Sequence, residues 1–302
     1  MARSRFRSDR GLTLRMGGVG LGLGVLYLLF AAVLYQTALG ALGFVIVLAL
    51  AWGQWYFSDS LALKSMNAKV VEPHQAPELH AMIDRLCALA DMPKPRVAVA
   101  VTDLPNAFAT GRTPKHSAVC VTTGIMQRLD ADELEGVLAH ELSHVANRDV
   151  TVMTVASSIG LLAGFITRYG MYFGGMFGGG RDRNNNNGGP AFIVVFLVSL
   201  LVYAVSFVLI RGLSRYRELS ADRSGAYMTG RPSKLSSALV KISGDMARIP
   251  NKDLRESQAM SAFFFAPAIN RESIGALFST HPPLQTRLDQ LAKVSAELSE
   301  QG

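Results

Sequence analysis

The residues best suited to chemistry lie within one short motif, His140-Glu141-Leu142-Ser143-His144. On a helix, side chains four residues apart share a face, so both imidazoles can reach one metal ion. Glu141 lies roughly 100° around the helix from His140, where its carboxylate can take a proton from a water molecule. The motif predicts a metal-dependent hydrolase, against the alternative of a surface helix with incidental histidines.

The residues around this motif favour a helix. Its predicted buried side consists of apolar residues at helical spacing, namely Leu134, Val137, Leu138, Leu142 and Val145. Asp130 is a suitable N-cap, and Glu133 three residues later completes a capping-box pattern. We therefore predict a helix that starts after Asp130 and runs to about Asn147.

A catalytic zinc site usually has three protein ligands and one open position, so a third ligand must lie elsewhere. The candidates are His74, His80, His116, His281, Glu218, Asp222 and Asp245. Glu218 and Asp222 are four residues apart on a predicted helix, so one can bind the metal while the other accepts an imidazole N–H. A solvated helix face, with Arg215 paired to Glu218, fits the same spacing.

Four apolar stretches predict an integral membrane protein. No charged residue occurs from Met16 to Ser58, and this length suits two crossings joined by a turn near Gln36 to Gly40. Two more stretches, Val150 to Thr167 and Pro190 to Ile210, flank a Gly/Asn-rich loop. Residues before Val150 and after Ile210 can bind the same metal ion only if they lie on the same side of the membrane. The chain must therefore cross the membrane an even number of times between Val150 and Ile210.

The charge pattern places the N-terminus in the cytoplasm. Five arginines and one aspartate precede the first apolar run, as the positive-inside rule expects. The net charge of +7 comes without a basic stripe of interleaved aromatics, so we expect no nucleic-acid partner. Cys87 and Cys120 have no metal-ligand spacing and define no disulfide framework.

Three further motifs resemble a known family. HELSHVANRD, SRYRELSADRSGA and STHPPLQTRL occur in this order, and NAFATG precedes them. With the four apolar stretches, they resemble the HtpX family of membrane-bound zinc metalloendopeptidases, which are gluzincins. The resemblance covers nearly the whole chain.

The resemblance implies a role for each matching residue. It makes His140, His144 and Glu218 the ligands of one zinc ion per subunit, Glu141 the general base and Asp222 the partner of a ligating histidine. His281 and Arg287 would lie near the substrate carbonyl, where they would stabilise the oxyanion and orient the site. The segment with Asn106, Ala107, Phe108 and Ala109 resembles an edge strand that binds extended substrate, although an interior strand fits its pattern as well.

The predicted fold is α+β and mostly helical, with up to four transmembrane helices and a zincin-type protease domain. The predicted domains are residues 1–58 (cytoplasmic arm and first hairpin), 59–149 (first catalytic part), 150–210 (second hairpin) and 211–302 (second catalytic part).

The expected function is hydrolysis of misfolded or damaged membrane proteins in the stress response of the cell membrane, with the active site facing the cytoplasm. Expected partners are membrane-protein substrates, the lipid bilayer and other membrane proteases. A non-catalytic adaptor or chaperone with structural zinc is the first alternative, although such sites usually have four cysteine-rich ligands. A transporter is the second, although the apolar stretches hold no internal charge.

Overall fold

The computed structural model describes residues 6, 9–35, 45, 49, 52–53, 55–149, 188–246 and 282–300. The helices of this part are α1 (Arg10–Tyr35), α2 (Ser58–Ser65), α3 (Pro77–Ala90), α4 (Thr123–Arg128), α5 (Ala131–Asn147), α6 (Gly188–Thr229), α7 (Pro232–Met246) and α8 (Leu284–Ser299). The strands are β1 (Lys69–Val70), β2 (Arg96–Ala100), β3 (Ala107–Thr113) and β4 (His116–Thr122). The described chain is mostly helical, as predicted.

The four strands form one mixed sheet in the order β1-β2-β4-β3. Strand β2 pairs antiparallel to β1 and parallel to β4, while β3 and β4 form an antiparallel hairpin. Strand β3 therefore lies at one edge of the sheet, as far as the described residues define it. This position supports the edge-strand interpretation over the interior one.

Successive side chains of a strand point to opposite faces of the sheet, and in these strands both sets are apolar. Both faces of the sheet are therefore covered by a hydrophobic core. Val97 and Val119 face the larger core, which also contains residues of α3, α5, α6, α7 and α8. Ala98 and Cys120 face a smaller core that includes Leu63 of α2. The sheet thus anchors α5 from one side, and α5 carries the motif with two histidines.

The chain divides into two compact units. The first comprises Met1–Thr13, Ser58–Thr151 and Ser214–Gly302 and contains the sheet. The second comprises Leu14–Phe57 and Val152–Leu213. Within the described residues, one helical segment, Leu197–Thr229, is long and apolar enough to cross a membrane. The predicted turn near Gln36 and the third apolar stretch lie outside the described residues.

Candidate metal centre

Helix α5 positions both histidines of the motif. Its first turn is closed by the predicted capping box: Asp130 accepts a hydrogen bond from the Glu133 amide at 2.8 Å, and Glu133 accepts one from the Asp130 amide at 2.9 Å. The helix ends at Asn147, which confirms the predicted boundary. His140 and His144 are one turn apart and almost fully buried, with 1% and 3% of their surfaces exposed.

Glu218 of helix α6 completes a cluster of three buried donors. The Nε2 atoms of His140 and His144 are 3.2 Å apart. Each lies 3.5 Å from one carboxylate oxygen of Glu218. Together these side chains form a group that could hold a metal ion. The structure therefore brings together the three residues that the resemblance implies as ligands.

The other nitrogen of each imidazole contacts an aspartate. His140 Nδ1 lies 2.8 Å from Asp222 Oδ1, and His144 Nδ1 lies 2.9 Å from Asp149 Oδ2. A carboxylate at Nδ1 makes that nitrogen the proton donor and leaves a lone pair on Nε2. Two lone pairs and the carboxylate of Glu218 then face one another, an arrangement that a cation stabilises.

The affinity of this cluster for positive charge is also evident in the pKa of His140. Burial alone lowers this pKa, but the hydrogen bonds and charges of Asp222 and Glu218 outweigh burial and raise it to about 9. A group of donors that attracts a proton so strongly also attracts a metal ion, since both compete for the same lone pair.

The balance of buried charges fits a divalent cation. Four carboxylates, those of Glu141, Asp149, Glu218 and Asp222, surround the two histidines in the described structure. The guanidinium groups of Arg287, which is buried, and Arg217, which is half-buried, oppose them. Arg287 Nη2 donates to Asp222 at 2.7 Å, and Arg217 Nη2 donates to Glu218 at 2.9 Å. With neutral imidazoles the formal sum is −2, which one divalent ion would neutralise.

Glu141 lies beside the cluster and contacts the sheet. Its Oε2 accepts a hydrogen bond from the Ala109 amide of β3 at 2.9 Å. Burial raises the pKa of Glu141, and the charges of His140 and His144 partly oppose this effect. A raised pKa brings a carboxylate closer to neutral pH, where a general base is most effective. The position and environment of Glu141 thus suit proton transfer.

The predicted substrate segment lies next to Glu141. Antiparallel strands alternate in the direction of their hydrogen-bonding groups. The Thr122 amide donates to the Asn106 carbonyl at 3.0 Å, so Asn106 and Phe108 direct their main-chain groups toward β4. Ala107 and Ala109 direct theirs away from β4, where the Ala109 amide meets Glu141. The binding of substrate at this edge stays a prediction.

Arg287 contacts Asp222 and His140, which suits the part of its implied role that orients the site. Only 2% of its surface is exposed, and Nε and Nη2 both donate to Asp222, at 2.8 and 2.7 Å. Nη2 also lies 3.5 Å from His140 Nδ1. These contacts suit the orientation of His140, and a contact with substrate stays a prediction. His281 lies outside the described residues.

Two other histidines considered as third ligands are engaged elsewhere. His80 Nε2 lies 3.0 Å from the Val71 carbonyl oxygen, and His116 Nδ1 lies 3.1 Å from Thr113 Oγ1. The alternative of a solvated helix face on which Arg215 pairs with Glu218 is wrong. Glu218 is buried, and it pairs with Arg217.

Asp149 and Arg217 also contact the cluster, although neither is among the site residues predicted from the sequence. Helix α5 ends with Arg148 in the left-handed conformation (φ 59°), after which Asp149 contacts His144. The signal was available in HELSHVANRD, where an acidic residue follows the second histidine by five positions. Such a spacing exceeds one helical turn, so helical periodicity alone does not reveal it.

Comparison with known proteins identifies a family for the whole chain. The profile of Peptidase family M48 matches residues 73–295, and thus includes all three candidate ligands. "Protease HtpX homolog 1" of Streptomyces coelicolor is 55% identical over 98% of this chain and 97% of its own. "Protease HtpX homolog" of Moorella thermoacetica is 54% identical over 99% of both chains.

A solved structure has the same fold. The crystal structure of S. mikatae Ste24p superposes with a TM-score of 0.51 at 17% identity, over 95% of this chain and 67% of that one. The donor cluster, the membrane-capable helix and these similarities lead to one conclusion. The chain belongs to Peptidase family M48 and is a membrane-bound metallopeptidase, similar to the HtpX proteases.

Proposed function

We propose that this protein is a zinc endopeptidase of the cell membrane that hydrolyses misfolded or damaged membrane proteins during stress. The observation that carries the proposal is the convergence of His140, His144 and Glu218, with Glu141 between this cluster and the edge strand β3. The sequence similarity to HtpX proteases adds support for the reaction class. Membrane-protein substrates, lipid and other membrane proteases are the proposed partners.

The spacing of the donors favours zinc over larger ions. Ligands about 2.0–2.1 Å from a tetrahedral ion lie about 3.4 Å apart. The three separations within the cluster are 3.2, 3.5 and 3.5 Å. Calcium prefers six or more oxygen ligands at about 2.3–2.6 Å, so two imidazoles suit it poorly. One zinc ion per subunit, held by His140, His144 and Glu218, fits this donor set.

Zinc in such a site would polarise the scissile carbonyl and lower the pKa of a water molecule. Glu141 would take the proton of the attacking water and later deliver it to the leaving amine. The edge strand β3 would bind an extended substrate through the main-chain groups of Ala107 and the carbonyl of Ala109, since main-chain hydrogen bonds accept many side chains. Asp222 would orient His140 with Arg287 behind it, and His281 would lie near the substrate carbonyl.

The proximity of the donors supports a proposal for the membrane arrangement. His144 and Glu218 are 3.5 Å apart, so they share one side of the membrane. The number of crossings between them is therefore even, and we propose that residues 150–167 cross as well as residues 190–210. Exposed leucines and a valine in the second unit suit contact with lipid; these are Leu21, Leu28, Leu29, Leu197, Leu200, Leu201 and Val208.

A hairpin at residues 150–210 then separates two parts of one catalytic domain, residues 59–149 and 211–302. Residues 1–58 form the cytoplasmic arm and the first hairpin, so four segments cross in total. The fourth segment is followed by four arginines, namely Arg211, Arg215, Arg217 and Arg223. The first segment is preceded by the basic N-terminal arm. By the positive-inside rule, these charges favour an active site that faces the cytoplasm.

Thiol labelling tests this topology. In a background that lacks Cys87 and Cys120, a cysteine within Asn184–Asn187 should react in intact cells with a membrane-impermeant reagent. Cysteines at the exposed positions Lys64 and Glu300 should react only after the membrane is opened. Protection of the Asn184–Asn187 cysteine in intact cells, with labelling after permeabilisation, would mean that the second hairpin does not cross.

A comparison of the wild type with Glu141→Gln tests the function. The variant should keep its zinc and lose at least a hundredfold in cleavage of casein or a membrane protein, because general-base catalysis contributes about 10² to 10⁴. The variant should also be the more intact protein if the enzyme digests itself. Full zinc occupancy without cleavage by the wild type would favour the adaptor or chaperone.

A further inference from the structure

The metal centre contains a second histidine–aspartate–arginine arrangement that mirrors the first. In the first, Asp222 connects His140 to Arg287. In the second, Asp149 lies between His144 and Arg217. Each imidazole thus has a carboxylate at Nδ1 and a guanidinium next to that carboxylate, although the residues come from separate parts of the chain.

The second arrangement contacts two members of the donor cluster. Asp149 Oδ2 lies 2.9 Å from His144 Nδ1. Arg217 Nη2 donates to Glu218 Oε1 at 2.9 Å, while its Nε lies 3.9 Å from Asp149 Oδ2. Arg217 therefore reaches toward the carboxylate that orients His144 and binds the carboxylate that completes the cluster.

Two unsatisfied atoms indicate that Asp149 and Arg217 belong together. Asp149 Oδ1 and Arg217 Nε are both buried and have no hydrogen-bond partner among the described residues. The Asp149 side chain is 1% exposed and that of Arg217 is 15% exposed. Buried polar groups without partners are costly, and a small movement would join this donor to this acceptor.

We propose that Asp149 and Arg217 are positioning residues of the metal centre. Asp149 holds His144 in the tautomer whose Nε2 faces the metal position. Arg217 fixes the Glu218 carboxylate by donating to Oε1, the oxygen that lies 3.5 Å from His144 Nε2, and it neutralises the buried charge of Asp149. This inference rests on the proposed metal-dependent function, and it adds two residues that act through the ligands.

The direction in which Arg217→Gln changes the metal affinity distinguishes a positioning role from a purely electrostatic one. A positive charge close to a divalent cation repels it, so a purely electrostatic role predicts tighter metal binding after Arg217→Gln. A positioning role predicts weaker binding, because Glu218 and Asp149 lose the group that holds them. Arg217→Lys keeps the charge without the planar fork, so it should restore only part of the affinity.

The experiment uses the full chain in detergent with Glu141→Gln as the parent, so that self-digestion does not interfere. Zinc affinity is measured by competition with a chelator, and the visible spectrum of bound Co²⁺ reports the geometry. Asp149→Asn should weaken zinc binding about 10- to 100-fold and alter the Co²⁺ spectrum, as expected for partners of metal-bound histidines. Asp222→Asn is the matched control at the other histidine.

Zinc affinity within twofold of the parent for both Asp149→Asn and Arg217→Gln would overturn the inference, as would tighter binding by Arg217→Gln. The melting temperature of each metal-free variant separates positioning from folding. If Asp149→Asn does not fold, Arg217→Gln and Arg217→Lys decide the question. A parent that binds no zinc, or His140→Ala with unchanged binding, would instead refute the metal centre itself.

Discussion

Helices α5 and α6 approach each other at Gly225, close to the candidate ligand His140. A Cβ atom placed on Gly225 would lie 2.9 Å from the His140 nitrogen, 3.1 Å from its Cα and 3.1 Å from the Ala139 carbonyl carbon. All three neighbours are main-chain atoms, so no side-chain rotation can relieve the contact. Gly225→Ala should therefore displace one helix by several tenths of an ångström.

The destabilisation caused by the close contact at Gly225 can be distinguished from the stabilisation that alanine brings through its higher helix propensity. Overpacking of this kind costs about 1–3 kcal/mol, while replacement of a mid-helix glycine by alanine stabilises by about 0.5–1 kcal/mol. Gly244 of α7 is the matched control, because nothing lies within 4 Å of the position of its Cβ. Gly244 lies in the last turn of its helix, where alanine gains less than in mid-helix, so the lower stability of Gly225→Ala relative to Gly244→Ala is a minimum value for the overpacking term.

Metal binding should be affected more strongly than stability. Ligand distances in metal sites vary by only about 0.2 Å, so a displacement of His140 relative to Glu218 should weaken zinc binding by roughly tenfold or more. Chelator competition measures the affinity, and thermal unfolding of the metal-free protein measures the stability. If Gly225→Ala binds zinc like Gly244→Ala and melts at the same temperature, the close approach at His140 is refuted.

Three other perturbations have expected outcomes. Glu218→Ala should release or weaken the metal, and zinc analysis that shows full occupancy with normal activity would place the third ligand elsewhere. Asp130→Ala removes the N-cap of α5 and its hydrogen bond to Glu133, so it should lower the unfolding free energy by about 0.5–2 kcal/mol; an unchanged denaturation midpoint would contradict this. Burial raises the pKa of Cys87 to about 11 and that of Cys120 to about 12, so both thiols stay protonated at pH 8. Neither should react with maleimide until the protein is denatured, and rapid labelling of the native protein would show that these cysteines are accessible.

The local structure around the motif could be predicted because it depends on neighbours in sequence. Two histidines four residues apart share a helix face wherever that helix lies, and the capping box between Asp130 and Glu133 spans a single turn. The structure confirms both the start and the end of this helix. Apolar length likewise predicted a membrane-capable helix, since it requires no knowledge of what packs against it.

The composition of the site depended on tertiary structure. Glu218 is 74 residues from His144 in the chain, and only the packing of α6 against α5 brings it within 3.5 Å. Spacing alone could not distinguish Glu218 from the other acidic and histidine candidates. The family resemblance selected it, and the fold supplies the physical reason.

The residues that support the ligands were the least visible in sequence. Asp149 reaches His144 through a left-handed residue after the helix, and Arg217 and Arg287 lie in segments distant from α5. The sequence does not show whether an arginine is solvated or is buried against a carboxylate. Sequence by itself therefore determined which short motif could bind a metal, while tertiary structure decided which distant charges surround it, because burial and opposite charge act through space.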